Sequence, residues 1–148
     1  MLAARAALVL ACPMRTVTVT PPSFPERAPT NVPLAPEPGQ RWQVLCGDAE
    51  HWRVGLYSPP EASAAEIAEL ETHDCPELFQ LLSGALTLVL FEGGELRQVP
   101  LEHGRPVLVT APHNGFCPGG PHSGVALVVE RDRFSTVYRT VDELLAQA

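Results

Sequence analysis

No stretch of the chain approaches the roughly 20 apolar residues that a membrane-spanning helix needs, so no such span is expected among its 148 residues. Basic residues are scarce: 10 Lys and Arg stand against 17 Asp and Glu, a formal charge of −7. Affinity for a phosphate backbone comes from clustered Lys and Arg. A nucleic-acid partner is therefore not expected, and neither is docking to an anionic membrane surface. The sequence also lacks a Gly-rich phosphate loop, a GxSxG elbow and an HExxH pair. Its four cysteines (Cys12, Cys46, Cys75 and Cys117) form no CxxC pair and no zinc-finger spacing. Reduced thiols in a cytoplasmic protein are the expectation.

Proline is abundant. There are 16 Pro and 11 Gly, and with 45% hydrophobic residues the chain can fill a core. This combination indicates many turns and short elements, a β-rich habit. Residues 1–13 (MLAARAALVLACP) carry one Arg and a short apolar stretch before Cys12. That stretch is shorter than the usual signal-peptide core of about 7–15 residues, so it reads as an over-long start or a frayed tail ahead of Met14. Were it a leader, the protein would be exported and its cysteines open to pairing.

TVTVT at 16–20 alternates β-branched residues and predicts a strand. Residues 21–39 hold the densest run of prolines and read as an extended arm, lying across the domain or a neighbouring subunit. The expected division is an N-terminal arm at 1–40, partly disordered, and a globular domain at 41–148. In that domain RWQVLCG and HWRVGLYSP predict two strands joined around Asp48–Glu50. EASAAEIAELE favours a short helix by its alanines but must end extended. ELFQLL, ALTLVLFE, ELRQVPLE and PVLVT follow as short strands broken by Gly turns, then a Pro/Gly-rich loop from Ala111 to Gly124. VALVVERD and FSTVYRT close the series, and VDELLAQA ends the chain as a short helix. Regular short strands of this kind indicate a sandwich or barrel.

The informative stretch runs Glu71-Thr-His73-Asp-Cys-Pro-Glu77-Leu-Phe-Gln-Leu-Leu-Ser-Gly84. Residues two apart on a strand share a face, so Glu71 and His73 point the same way. A glutamate opening the next strand can point inward beside them, and imidazole plus carboxylate in a closed pocket suits Fe, Mn, Ni, Zn or Cu. The stretch resembles the first motif of the cupin superfamily: two histidines one residue apart, a glutamate three or four residues later, then six residues and a glycine. His73 takes the second histidine position, Glu77 the glutamate and Gly84 the glycine. Glu71 stands where the first histidine belongs, a departure from the pattern. The second motif is matched loosely by Gly104 to His122. If Pro112 is its proline, Asn114 replaces the glycine and Cys117 the histidine; a shifted register offers His113 or His122. Cys75 also faces inward in a pure strand register, which Pro76 interrupts.

The resemblance spans about residues 50–138 and implies an all-β fold, a double-stranded β-helix (the cupin or jelly-roll barrel) with a Pro-rich arm and a short C-terminal helix. It further implies a divalent transition metal (Zn, Fe, Mn, Ni or Cu) held by His73, Glu77, Glu71, Cys117 or His113. Glu77 and Glu71 are its candidate proton carriers. The implied activity is of dioxygenase, isomerase or lyase type on a small molecule, in a homodimer. The alternative is a metal-free cupin that binds a ligand or serves as an assembly module, favoured by the two altered motif positions. Third comes a metal-free sugar-nucleotide epimerase or isomerase using a tyrosine, for which only Tyr57 and Tyr138 are available; Tyr138 is expected away from the motif. Arg53, Arg97 and Arg105 read as surface charges. Arg131, Asp132 and Arg133 read as a turn of little energetic consequence.

Overall fold

A computed structural model describes residues 14–148. The leader question and Cys12 lie outside the described residues. Eleven strands follow one another: β1 Arg15–Val19, β2 Trp42–Asp48, β3 Trp52–Tyr57, β4 Glu69–His73, β5 Glu77–Ser83, β6 Thr87–Glu92, β7 Glu95–Pro100, β8 Val107–Val109, β9 His113–Phe116, β10 Val125–Arg131 and β11 Phe134–Thr140. They form two antiparallel sheets, one of six strands in the order β1-β11-β4-β9-β6-β7 and one of five in the order β2-β3-β10-β5-β8. This is the all-β arrangement expected. A closing helix, α1 (Val141–Leu145), is capped by Thr140 and Glu143 in a reciprocal box and buries Leu144. Among the described residues no helix is long and apolar enough to cross a membrane.

Two expectations are corrected. The alanine-rich segment makes a single 3₁₀ turn, Ala64–Glu66. An isolated short helix is marginal, and Ile67 and Leu70 are instead drawn into a core cluster with Val89 and Phe116. His113–Phe116, assigned to the Pro/Gly-rich loop, is a strand wedged between β4 and β6. The strand expected at 16–20 is β1, which pairs along β11 from Arg15↔Tyr138 to Val19↔Phe134 in the six-stranded sheet.

Residues 20–41 contain no helix or strand and pack on their own domain. The Phe24 ring covers Gly47 so closely that a Cβ there would lie 2.5 Å from it. The Ser23 backbone N–H donates to Asp132 Oδ1 at 2.7 Å, and the Glu50 backbone N–H donates to Oδ2 at 2.9 Å. Asp132 is 0% exposed. Burial works against its charge, but these bonds and that of the Ser23 hydroxyl hold its pKa below the ordinary value. The turn read as inconsequential is thus the anchor of the arm.

The core lies between the sheets, with Leu70, Leu86, Leu88, Val128 and Cys117 fully buried. Strand β10 alternates as its sequence dictates, with Ala126, Val128 and Glu130 buried and the residues between them only partly so. A carboxylate therefore occupies a core-facing position, beside the functional cavity. Gly84 fixes the β5–β6 turn. Its φ is +65°, and a Cβ would lie 1.9 Å from the Ser123 carbonyl oxygen. Gly84→Ala is expected to cost about 2–3 kcal/mol, read as a lower urea midpoint at unchanged slope, since both backbone strain and overlap oppose it.

Candidate metal centre

Strands from both sheets converge on one cavity of about 520 Å³. On β4, Glu71 and His73 point inward as the two-residue spacing requires. Glu77 opens β5 in the opposite sheet, and His113 opens β9, paired with Glu71. His73 Nε2 lies 3.1 Å and His113 Nε2 2.8 Å from the same atom, Glu77 Oε2. Glu71 Oε1 stands 3.8 Å from His113 Nε2 and is less buried. Two overlapping sets of ligand atoms lie close enough to share an ion: Glu71, His73 and His113, and His73, Glu77 and Glu130.

The hydrogen bonding around these groups fits a metal. The His113 Nδ1–H donates to the Ala111 carbonyl at 3.0 Å, and His73 Nδ1 bonds the Thr136 hydroxyl at 2.7 Å. With Nδ1 carrying the proton, His113 presents a lone pair at Nε2. That atom and Glu77 Oε2 are both buried, and neither has an aligned hydrogen-bond partner. Two acceptors 2.8 Å apart with nothing between them repel; a cation or a proton must sit against them. In the absence of a metal a proton does so. Burial disfavours charge on His113, but Glu77 outweighs it and lifts the imidazole to about 9. Burial likewise opposes the Glu77 carboxylate, yet His113 and His73 hold its pKa well below the carboxylate range.

Glu130 and Arg53 complete the floor. The Arg53 Nε–H donates to Glu130 Oε1 at 2.6 Å in a buried ion pair, and its Nη1 donates to the Ser23 carbonyl at 3.2 Å. Burial and the neighbouring Glu77 charge push the Glu130 pKa upward, against the pull of Arg53, which holds the carboxylate in the ion pair. Arg53 is thus no surface charge. The inward phase of VALVVER was the signal that would have revealed Glu130.

At the wall, Asn114 Oδ1 accepts from Tyr57 OH at 2.9 Å and Arg41 Nη2 at 2.7 Å, while its Nδ2–H donates to the Glu69 carbonyl at 2.8 Å. Tyr138 is the register partner of Glu71 and lines the cavity, contrary to the expectation that it lies apart. Burial and Glu71 push its phenol up to about 12.

Cys117, expected as a ligand, is not brought to the centre. It sits in the hydrophobic core with Leu81 and Leu86. Its backbone N–H donates to the Glu61 carbonyl at 2.8 Å, and its Sγ accepts from the Gly124 N–H at 3.3 Å. Burial raises its thiol pKa, as suits an inert core thiol. His122 lines a separate crevice beneath residues 36–40 and bonds the Ser58 carbonyl through Nδ1 at 2.6 Å. Cys75 is buried and lies outside both ligand sets. Of the sequence candidates, His73, Glu77, Glu71 and His113 are brought together.

No protein-family model and no curated protein matches the chain. Solved structures do. A cupin 2 domain-containing protein from Halorhodospira halophila is similar over 89% of this chain and 86% of its own, at 16% identity and a TM-score of 0.55. A cupin-2 domain protein from Shewanella frigidimarina aligns over 61% and 78% at 14% identity and 0.46. The DMSP lyase DddQ from Ruegeria pomeroyi aligns over 61% and 45% at 20% identity and 0.45. The chain spans about half the length of the larger enzymes it matches. Two antiparallel sheets closed around a histidine–glutamate cavity, aligned along nearly their whole length with a cupin-2 protein, give this chain the cupin fold.

Proposed function

We propose that the protein is a metal-dependent cupin that binds one divalent transition metal (Zn, Fe, Mn, Ni or Cu) through His73, Glu77 and His113 and acts on a small molecule in the cavity above it. The observation that carries this reading is the pair of facing, buried acceptors, His113 Nε2 and Glu77 Oε2, each without a hydrogen-bond partner. A bound dication would polarise an oxygen of the substrate, the chemistry shared by dioxygenase, isomerase and lyase reactions. Glu77 is committed between two imidazoles, so it holds position. Glu71 is the freer carboxylate, open to the cavity and beside Tyr138, and is placed to take or return a substrate proton.

The test is elemental analysis of untagged protein beside His73→Ala. About one metal per chain, absent from the variant, is the expected outcome. No metal in the wild type, even after reconstitution with Fe, Mn, Zn and Cu, would replace this reading with the metal-free binding module. A protonated His113 paired with Glu77 would suit that second reading, because it satisfies both atoms without an ion.

A homodimer and a cytoplasmic setting belong to the same proposal. Cys46, Cys75 and Cys117 are free, which supports a reducing compartment. The outer face of the five-stranded sheet supports self-association. Its registers place Cys46, Val54, Val129, Leu78 and Leu108 in one row across all five strands, with Leu78 37% and Leu108 64% exposed. An exposed sheet face ordinarily alternates to polar residues. Light scattering is expected to give twice the 16.0 kDa chain mass, and Leu78→Gln with Leu108→Gln to return the monomer. A monomeric wild type would remove this part of the reading.

A further inference from the structure

The charge of the cavity selects its ligand. Among the described residues the lining holds six glutamates against two arginines. The chain has no lysine, so arginine alone can supply a fixed cation, and each arginine near the cavity is already matched. Arg53 is held by Glu130 at 2.6 Å, Arg41 by Glu61 at 2.6 Å, and Arg15, stacked 3.8 Å over the Tyr138 ring, by Glu69 at 3.1 Å. Lining carboxylates are left over: Glu77 within the centre, Glu71 beside it, and Glu66 nearer solvent. A dication on the two imidazoles and Glu77 cancels two of these three surplus negative charges and leaves one. The orphaned Glu77 Oε2, its side chain 5% exposed, shows that this acidic lining encloses a binding position and not merely a solvated face.

We propose that the ligand is a small organic cation, a protonated amine or quaternary ammonium compound, with an oxygen donor at its other end. The oxygen faces the metal centre, and the positive group sits among Glu66, Glu69 and Glu71 at the mouth. This rests on the metal-centre reading for the oxygen end; the cationic end follows from the lining alone. A cleft walled by one sign of charge concentrates counter-ions and repels co-ions. A phosphomonoester or dicarboxylate would find no unpaired guanidinium and would place its second charge against glutamates.

Two pairs of probes, matched in shape and oxygen end, decide it: choline with its neutral carbon analogue neohexanol, and glycine betaine with its carbon analogue tert-butylacetate. They are titrated by NMR into the zinc-loaded full chain. Choline is expected to bind about tenfold more tightly than neohexanol, and glycine betaine than tert-butylacetate. The choline preference should shrink with added salt and fall several-fold in the Glu66→Gln, Glu69→Gln variant. Neohexanol binding as tightly as choline, or tert-butylacetate as tightly as glycine betaine, would overturn the proposal, as would failure of all four to shift cavity resonances at the highest soluble concentrations. Failure of zinc to load would sink the metal-centre reading instead. The panel on the metal-free chain would then show a larger preference for the cationic probes, because the His113 proton replaces only one of the two metal charges; an equal response within each pair there would overturn the cation proposal as well.

Discussion

Metal-free protein is expected to lose stability as pH rises from about 6.5 to about 9, and zinc is expected to abolish that loss. His113 is raised from 6.5 to about 9 because the Glu77 carboxylate, 2.8 Å away, outweighs the cost of burying the imidazolium. A folded-state pKa above the unfolded one gives stability that is complete below pH 6.5 and disappears as pH climbs through 9. A difference of this size between the folded and unfolded imidazole corresponds to a loss on the order of 3 kcal/mol. Glu77 acts at the other end: its depressed pKa contributes stability present above the ordinary carboxylate value and lost as pH falls well below it. Zinc levels the alkaline side, since a ligating histidine must shed the proton that the metal-free site retains, and above pH 6.5 the unfolded chain lacks that proton too. Affinity should therefore rise with pH over the same window and offset the metal-free loss, leaving the midpoint nearly constant. Urea melts at a series of pH values, with chelator and with zinc, read both arms. His113→Ala should reduce the metal-free slope to the share that the raised Glu130 carboxyl contributes, and abolish the zinc effect. A chelated wild type that is equally stable at both ends of that window would show that His113 carries no proton against Glu77.

Arg53→Leu is expected to destabilise the chain by about 3–5 kcal/mol, a large share of the ~5–15 kcal/mol that holds a domain together. The guanidinium is the buried partner of Glu130 and also caps the Ser23 carbonyl, so its loss strands a carboxylate in the core and loosens the arm. Replacing both members, Arg53→Leu with Glu130→Leu, should recover most of the loss, because two apolar side chains carry no desolvation penalty. Denaturant midpoints for the two variants decide the matter. A single-variant cost under about 1 kcal/mol would mean that Glu130 stays neutral beside Glu77 and needs no cation.

The metal-free centre and the Arg53–Glu130 pair differ in how much of each the sequence announces. Glu71, His73, Glu77 and Gly84 are spaced by the local rules of strand and turn: residues two apart share a face, and a glycine at positive φ lets β5 return as β6. Those rules operate over a few residues, so the first half of the site, the strand rhythm and the capped C-terminal helix were all readable from the chain. Glu130 was readable too in principle, since β10 alternates strictly, but its phase means nothing until the side that faces the core is known.

The rest was decided by packing between distant segments. Which of His113, Cys117 and His122 joins Glu77 depends on where the chain leaves β9. Beyond Phe116 the Cys117 backbone N–H bonds the Glu61 carbonyl and its sulfur accepts from the Gly124 N–H, burying the thiol in the apolar core, while pairing with Glu71 delivers His113 to the centre. Tyr138 reaches the cavity for the same reason, as a cross-strand partner of Glu71 from far along the chain. Asp132 becomes an anchor only because the arm returns Ser23 to it. By itself the sequence determined an all-β barrel with a histidine–glutamate motif, since alternation and turn chemistry are local. The placing of His113 beside Glu77, the buried ion pair and the charge of the cavity were decided by the tertiary structure, because each depends on which face of one strand meets which face of another across the core.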